Sequence, residues 1–200
     1  MLVNAVMTSS VVTVEPERSL YAAASLLREG RFRHLPVVRD GRLLGIISDR
    51  EATADNDTPV IQVMHTQVIT VSPDTPVEVA AALMAENKIG ALPVVDPRTE
   101  GLVGVVSQTD LFVTLARLLG SQAPGTRLEL HLHDLPRQLV VLGATAEHQH
   151  VSINSLIAFR GEDTQAVGYD VVLRVGTIDP RVFVDELHRA GIAVSSADER

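Results

Sequence analysis

The sequence predicts an α+β protein in which two similar units of the βαββα type precede a third, C-terminal unit of the βαββαβ type. Three observations predict this fold class: an internal repeat, a strand-like alternation of apolar and polar residues after a short linker, and helical periodicity between predicted strands. A chain of 200 residues is long enough for two or three small domains.

The repeat is visible as two pairs of matching segments. MTSSVVTVEPERSL at 7–20 is echoed by MHTQVITVSPDTPV at 64–77, an offset of 57 residues. The same offset places HLPVV at 34–38 over ALPVV at 91–95. Agreement in register over two separate segments indicates a duplicated structural unit.

A third match closes each unit. After a two-residue insertion in the second copy, GIISDRE at 45–51 aligns with GVVSQTD at 104–110. We therefore expect one domain at 1–58 and a second at 59–120.

The first half of a unit reads as a strand followed by a helix. Val11 to Val14 is a short β-branched run, which predicts a strand. Ser19 to Arg28 carries apolar residues at helical spacing. Gly30 is the expected C-cap of that helix.

The second half of a unit reads as a hairpin followed by a helix. HLPVV is a predicted strand, Asp40-Gly41 a tight turn, and Leu43 to Ser48 the returning strand. The closing helix is expected over 110–119 in the second unit, whereas only 51–57 is available for it in the first.

A third unit follows the small-residue linker at 121–125 and is expected over 126–197. Leucines alternate with polar residues at 128–133, which predicts a strand, and Asp134 and Pro136 predict the start of a helix running to about Thr145. The remaining elements are two strands at 151–159 and 166–175, joined by the turn RGEDTQ, a helix from Asp179-Pro180 to Gly191, and a strand at 192–195. This order is that of a ferredoxin-like sandwich.

The repeated LPVV segment and the Gly-x-x-Ser-x-x-acid ending give residues 1–120 a resemblance to a tandem pair of cystathionine-β-synthase (CBS) domains. The resemblance implies that the two units pack as a pseudo-symmetric pair and form a homodimer. It also implies clefts between the units that bind AMP, ADP, ATP or S-adenosylmethionine as regulatory ligands.

The C-terminal unit, by its element order and position, resembles an ACT domain, a family that binds amino acids. A CBS pair followed by an ACT-like domain is similar to the acetoin-utilisation protein B family. The resemblance then covers nearly the whole chain and suggests a role in acetoin or energy metabolism.

Asp110 is the strongest single candidate for ligand binding. A carboxylate can accept hydrogen bonds from both vicinal hydroxyls of a ribose, and Ser107 lies three residues earlier at the predicted strand-to-helix junction. The alternative is structural: Ser107 or Thr109 caps the helix and Asp110 complements its dipole.

The resemblance assigns further residues to the adenosine-ligand site. Ser48 aligns with Ser107, and Glu51 takes the acidic position in the first unit. His34 is either a phosphate contact or a packed strand residue. The positions that match the family's adenine slot are Val12, Thr13, Leu35 and Pro36, with Ile69, Thr70, Leu92 and Pro93 in the second unit.

A basic stretch in the first unit suggests where phosphates would bind. Between Arg28 and Arg50 there are six arginines against three acidic residues, a balance of +3 in a chain whose net charge is -8. Arg50 is therefore a candidate phosphate contact, and a solvated charged surface is the alternative. The equivalent stretch of the second unit has a balance of -2.

Four histidines in the third unit could suggest a metal site. They are His131, His133, His148 and His150. In a ferredoxin-like order the first and second strands are not adjacent, so these residues are expected far apart compared with the 2.0 to 2.1 Å ligand distance of zinc. We expect no metal site.

Composition restricts the function classes. There is no cysteine, no Gly-x-Ser-x-Gly elbow, no phosphate-binding Gly-Lys loop and no His-Glu-x-x-His helix, so we expect no enzyme. A pI near 5.3 and 3% aromatic residues disfavour nucleic acid as a partner. The absence of a long apolar run or a leader segment predicts a cytoplasmic protein without a membrane anchor.

The sequence thus predicts a non-catalytic regulatory protein, homodimeric, that senses an adenosine-containing ligand between its CBS units. Its C-terminal domain would sense a second metabolite or relay the signal to an unidentified protein partner. Two alternatives stay open at this point: a ligand-free dimerisation or scaffold module, and a minor enzyme of acetoin metabolism.

Overall fold

The computed structural model describes residues 1–52, 57–121, 124–160 and 168–199. The chain divides into two compact units, residues 1–113 and 114–200. Within the described ranges, no helix combines the length and the apolar character needed to cross a membrane.

The first repeat contains one helix and one hairpin. Helix α1 (Leu20–Gly30) begins after Ser19, whose side chain accepts a hydrogen bond from the Ala22 amide at 3.3 Å. Strands β1 (His34–Arg39) and β2 (Arg42–Ser48) are antiparallel. The predicted turn is confirmed, because Asp40 and Gly41 both have positive φ, 51° and 79°, as a tight hairpin turn requires.

The predicted strand at Val11 to Val14 is wrong. Only Val14 pairs, in an isolated parallel bridge to Val37, with its amide donating to Pro36 O at 3.0 Å. The β-branched run contributes one bridge, and its residues Val11 and Val12 line a cleft between the repeats instead of joining a sheet.

The predicted C-cap at Gly30 is also wrong. Gly30 is the last helical residue, and Arg31 takes the left-handed conformation at φ 53°. Gly30 lies beside the ring of Phe32, so a Cβ at position 30 would force that ring to move.

The second repeat has the same helix and hairpin, followed by a further helix. They are helix α2 (Val77–Asn87), strands β3 (Ala91–Val95) and β4 (Leu102–Ser107), and helix α3 (Gln108–Leu118). Lys88 ends α2 in the left-handed conformation, as Arg31 does for α1. The expected closing helix of the first unit, 51–57, lies partly outside the described residues.

Each repeat has its own small core. In the first repeat Leu35, Val37 and Ile47 are fully buried. At the matching positions of the second repeat, Leu92, Val94 and Val106 are fully buried. The LPVV segment is therefore a core strand in both copies.

The C-terminal unit has the predicted βαββαβ order. Its elements are β5 (Thr126–Leu132), α4 (Leu135–His148), β6 (Ile153–Phe159), β7 (Tyr169–Val175), α5 (Arg181–Arg189) and β8 (Ala193–Glu199). The strands are antiparallel in the order β6-β7-β5-β8, which is a ferredoxin-like sheet. The predicted turn RGEDTQ falls mainly on residues outside the described ranges.

Alternation on the central strand β5 decides which sheet face the two helices cover. Leu128, Leu130 and Leu132 are buried in a cluster with Leu142 of α4 and Phe183 of α5. The helix start at Asp134 is confirmed, since its carboxylate accepts from the Arg137 amide at 3.2 Å.

Candidate functional site

The hairpins of the two repeats end in the same way and bring a serine to equivalent positions. His34 of β1 pairs with Ser48 of β2, and Ala91 of β3 pairs with Ser107 of β4. Each serine is followed three residues later by an acidic residue. The duplicated sequence therefore produces two related sites.

In the second repeat, Ser107 and Asp110 form a reciprocal pair at the start of α3. Asp110 Oδ2 accepts from the Ser107 amide at 2.8 Å and from Ser107 Oγ at 2.6 Å. Ser107 Oγ in turn lies 3.3 Å from the Asp110 amide and accepts from it. This is a capping box, so the structural alternative considered for these residues is present in the structure.

In the first repeat, Ser48 and Glu51 repeat the arrangement. Glu51 Oε2 accepts from the Ser48 amide at 2.9 Å and also from Ser48 Oγ. The other carboxylate oxygen, Oε1, lies 3.5 Å from His65 Nε2 of the second repeat. Burial alone would raise the pKa of Glu51, but the hydrogen bonds from Ser48 and His65 outweigh it and hold the pKa below its ordinary value.

Two cavities lie between the repeats, one beside each serine. The first, which we call the Asp110 cleft, has a volume of about 240 Å³. Its lining residues are Thr8, Ser10, Val11, Val12, Phe32, His34 and Pro36 from the first repeat and Val105, Ser107, Thr109 and Asp110 from the second. Apolar side chains of one repeat thus line the same cavity as a hydroxyl and a carboxylate of the other.

The second cavity, which we call the Ser48 cleft, has a volume of about 260 Å³. It is lined by His65, Gln67, Val68, Ile69, Ile89 and Ala91 from the second repeat and by Ile46, Ser48 and His34 from the first. The lining segment 65–69 corresponds, at the offset of 57, to 8–12 in the Asp110 cleft. The two clefts are therefore pseudo-symmetric in position but not in chemistry.

His34 lines both clefts. Its ring reaches over the second repeat, so that a Cβ on Gly90 would lie 3.3 Å from His34 Cε1. Burial, reinforced by the nearby Arg33, lowers the pKa of His34 below 6.5, against the opposing charges of Asp49 and Glu51. The imidazole is therefore neutral at pH 7, with hydrogen-bonding capacity towards both cavities.

The structure brings five of the expected site residues together in the Asp110 cleft: Val12, His34, Pro36, Ser107 and Asp110. Ile69, Ser48 and His34 line the Ser48 cleft.

The other expected site residues lie elsewhere. The side chains of Leu35 and Leu92 are fully buried in the repeat cores, and Pro93 is buried. Thr13, Thr70, Arg50 and Glu51 line neither cleft, although Glu51 contacts Ser48 and His65, which do.

The arginines of the basic stretch lie outside both linings among the described residues. Arg39 forms an ion pair with Glu17, and the guanidinium of Arg42 lies 3.3 Å from the carboxylate of Glu100. These ion pairs belong to exposed side chains, where they contribute little to stability.

Sequence reasoning missed several lining residues, among them Thr8, Ser10, Phe32, Thr109, His65 and Gln67. For Thr8, Ser10, His65 and Gln67 the sequence did contain a signal. They flank the β-branched run in both copies, and a segment that forms no sheet strand leaves its side chains free for a cleft.

The family comparison agrees with the duplicated fold. The CBS domain model matches residues 3–54 and 60–117. The chain belongs to the CBS-domain family. CBS domain proteins are generally regulatory.

Among curated proteins, the CBS domain-containing protein YhcV of Bacillus subtilis is 40% identical over 114 residues, which is 54% of this chain and 80% of YhcV. Other curated relatives are much longer, and the chain spans only 22% and 24% of two of them.

Two solved structures resemble the CBS pair. AcuB of Vibrio cholerae, described as an acetoin utilization protein, is 33% identical with a TM-score of 0.56, covering 61% of this chain and 95% of that one. The CBS domain pair of protein MJ0100 is 30% identical with a TM-score of 0.54, covering 58% and 96%. The MJ0100 pair is in complex with 5′-methylthioadenosine and S-adenosylmethionine.

Proposed function

We propose that this CBS protein is a non-catalytic regulator that binds an adenosine-containing ligand in the Asp110 cleft. The observation that carries the proposal is that Ser107 and Asp110, held together at 2.6 Å, line the same cavity as the apolar residues Val12 and Pro36. A ribose needs hydrogen-bonding groups and an adenine needs apolar contacts, and this cavity offers both.

The capping box supports the ribose role of Asp110. A side chain that already bonds Ser107 through Oδ2 is fixed in rotamer before a ligand arrives, which reduces the entropy lost on binding. An ionised carboxylate has about four lone-pair sites, so capping and acceptance of ribose hydroxyls are compatible. The same orientation of the Asp110 side chain therefore suits both helix capping and ligand binding.

The Ser48 cleft is the weaker candidate. Glu51, at the position of Asp110, directs its second oxygen to His65 at 3.5 Å. A ribose would have to displace that contact. We therefore propose one preferred adenosine site in each CBS pair.

Calorimetric titration with AMP, ADP, ATP and S-adenosylmethionine tests the proposal. Asp110→Ala should weaken the binding of the preferred ligand by about 2 to 4 kcal/mol, since it removes charge-assisted bonds to both hydroxyls. Glu51→Ala is the matched control, because it removes the equivalent acid beside the other cleft and should leave the first binding event nearly unchanged. Equal losses in both variants would contradict the assignment to the Asp110 cleft.

The arginine hypothesis is tested separately. Arg50→Ala should weaken AMP more than adenosine if its guanidinium reaches a phosphate. Unchanged affinity for AMP would remove Arg50 from the site and leave His34 and the cleft hydroxyls as phosphate contacts.

A ligand-free scaffold is the second candidate, and the capping box itself favours it, because stabilisation of α3 explains Ser107 and Asp110 without any ligand. It predicts no heat from any of the four ligands.

The remaining expectations extend the main proposal. The ferredoxin-like order of the C-terminal unit supports an ACT-like role for it, either as sensor of a second metabolite or as relay to a protein partner. Similarity to AcuB supports a link to acetoin metabolism. Homodimerisation stays a prediction, tested by light scattering with and without the ligand.

A further inference from the structure

The charge on the walls of the Asp110 cleft bears on what its ligand carries at the 5′ carbon of the ribose. Among the described residues that line this cleft, no lysine or arginine is present, and the carboxylate is that of Asp110. The other polar side chains of the lining are the imidazole of His34 and the hydroxyls of Thr8, Ser10, Ser107 and Thr109. The lining therefore offers hydrogen bonds and a negative charge.

The start of α3 is a second place where a phosphate would find donors, because free amides at a helix N-terminus attract anions. Here the amides are engaged. The Ser107 amide donates to Asp110 Oδ2 at 2.8 Å, and the Asp110 amide donates to Ser107 Oγ at 3.3 Å. The Gln108 amide donates to Gly90 O at 3.0 Å. The Asp110 carboxylate also complements the helix dipole, so this terminus is occupied by the chain's own acid.

The cations nearest along the chain do not line the cleft. Arg31 and Arg33 flank Phe32, which is a lining residue, but neither of the two is. The Arg33 guanidinium lies 3.9 Å from the Asp49 carboxylate. Arg31 is exposed. A phosphate in the cleft would therefore have to draw Arg31 in from the surface.

The charges around His34 balance one another. Arg33 and Arg50 lower the pKa of this imidazole, after the larger effect of burial, while Asp49 and Glu51 raise it. Two positive and two negative groups thus act on His34 from outside the lining. They supply no excess positive charge to offset Asp110.

A 5′-phosphate fits these surroundings poorly. A phosphate monoester carries about −1.5 to −2 charges at pH 7. In this cleft it would share one cavity with a carboxylate, and like charges placed together in a binding site reduce affinity. Hydroxyls such as those of Ser10 and Thr109 can donate to phosphate oxygens, but they do not neutralise the charge.

We propose that the Asp110 cleft selects an adenosyl ligand that carries sulfur and no phosphate at its 5′ carbon, either S-adenosylmethionine or an adenosyl thioether. This inference rests on the proposed adenosine site and narrows its ligand class. A thioether adds no charge beside Asp110, and the sulfonium of S-adenosylmethionine adds a positive one. Phe32, whose side chain is 41% exposed, supplies an aromatic ring to the same lining. Aromatic rings make favourable contacts with both cations and thioether sulfur.

Calorimetric titration of the full-length protein with 5′-methylthioadenosine, S-adenosylmethionine, AMP and ATP tests the selection. Binding that is lost in Asp110→Ala is assigned to the Asp110 cleft. Both sulfur ligands should bind at least about 10-fold more tightly than AMP, and ATP should bind more weakly than AMP because it adds negative charge. The comparison of the two sulfur ligands shows whether the sulfonium charge adds affinity.

The salt dependence of AMP binding reports the sign of the charge that the phosphate meets. Screening is weaker at low ionic strength, so repulsion by Asp110 should reduce AMP affinity as salt is lowered from about 0.1 M to about 0.01 M. The affinity for 5′-methylthioadenosine, which has no charge near the ribose, should stay nearly constant over this range.

Adding a cation to the lining should reverse the preference. Ser10→Arg should raise AMP affinity about 10-fold relative to 5′-methylthioadenosine, since it supplies the missing charge at an exposed lining position. Ser9→Arg is the matched control, because Ser9 is exposed but outside the lining, and its effect on this ratio should be smaller. Arg31→Ala should leave the ratio unchanged.

Three results would overturn the inference and leave the adenosine site in place. They are Asp110-dependent binding of AMP or ATP as tight as that of the sulfur ligands, AMP affinity that rises at low salt, and loss of AMP affinity in Arg31→Ala. The absence of binding by all four ligands would instead contradict the proposed function, and this inference would fall with it.

Discussion

His65 Nε2 lies 3.5 Å from Glu51 Oε1, and this contact joins the two CBS repeats beside the Ser48 cleft. On the other side, the position of His65 is taken by Thr8 and that of Glu51 by Asp110. At the Ser48 cleft, the acidic residue Glu51 therefore contacts an imidazole of the opposite repeat. At the Asp110 cleft, Thr8 stands at the position of that histidine.

We expect His65→Thr to make the Ser48 cleft resemble the Asp110 cleft and to allow a second adenosine ligand to bind. Calorimetry should show the stoichiometry rise from one ligand to two per chain. Gln67→Ser is the matched control, because Gln67 lines the same cleft but is not the residue that pairs with Glu51. Two ligands already bound in the wild-type protein would contradict this asymmetry.

Ser107→Ala should lower the free energy of unfolding by about 1 kcal/mol, within a range of about 0.5 to 2 kcal/mol, because it removes the hydroxyl that accepts from the Asp110 amide. Urea denaturation followed by circular dichroism measures the change. Ser9→Ala, at an exposed position, should stay within about 0.5 kcal/mol of wild type. Equal effects at both positions would show that the capping box adds nothing to stability.

Gly143→Ala should stabilise the protein by about 0.5 to 1 kcal/mol. Gly143 lies inside α4, and an added Cβ would meet no atom within 4 Å, so only the helix propensity of alanine is gained.

Gly30→Ala is the matched case with the opposite sign. Its Cβ would lie 2.0 Å from the ring of Phe32, which must then move. Since Phe32 lines the Asp110 cleft, this variant should lose stability and also weaken nucleotide binding. Thermal unfolding of both glycine variants checks the contrast, and stabilisation by Gly30→Ala would show that Phe32 adapts without cost.

The lowered pKa of His34 predicts a loss of stability on acidification. The unfolded chain takes up the proton near the ordinary pKa of 6.5, whereas the folded protein takes it up only at lower pH. Between these two values the unfolded state holds more protons, so stability falls as pH decreases from about 6.5 and becomes constant below the folded pKa.

His34→Gln should remove this part of the acid sensitivity. The measurement is the urea midpoint between pH 7.5 and pH 5, compared with His150→Gln at an exposed position. If the slope for His34→Gln matches that of wild type, the half-buried imidazole does not contribute to it.

Much of the fold was predictable because the duplication repeats its own signals. Asp40-Gly41 between two apolar runs predicted the hairpin turn, and the alternating leucines of 128–132 predicted the central strand of the C-terminal sheet. These features depend on residues close in sequence, so local chemistry decides them. The serine and acid three residues apart were likewise identified as a pair.

What the sequence by itself determined was therefore the two repeats, the order of elements and the Ser107–Asp110 motif. Only the tertiary structure decided that Arg31 rather than Gly30 is the C-cap of α1, and that His65 contacts Glu51. The physical reason is that these outcomes depend on contacts between distant segments. A ring packed over a glycine and a contact between an imidazole and a carboxylate of different repeats have no signature in spacing or composition.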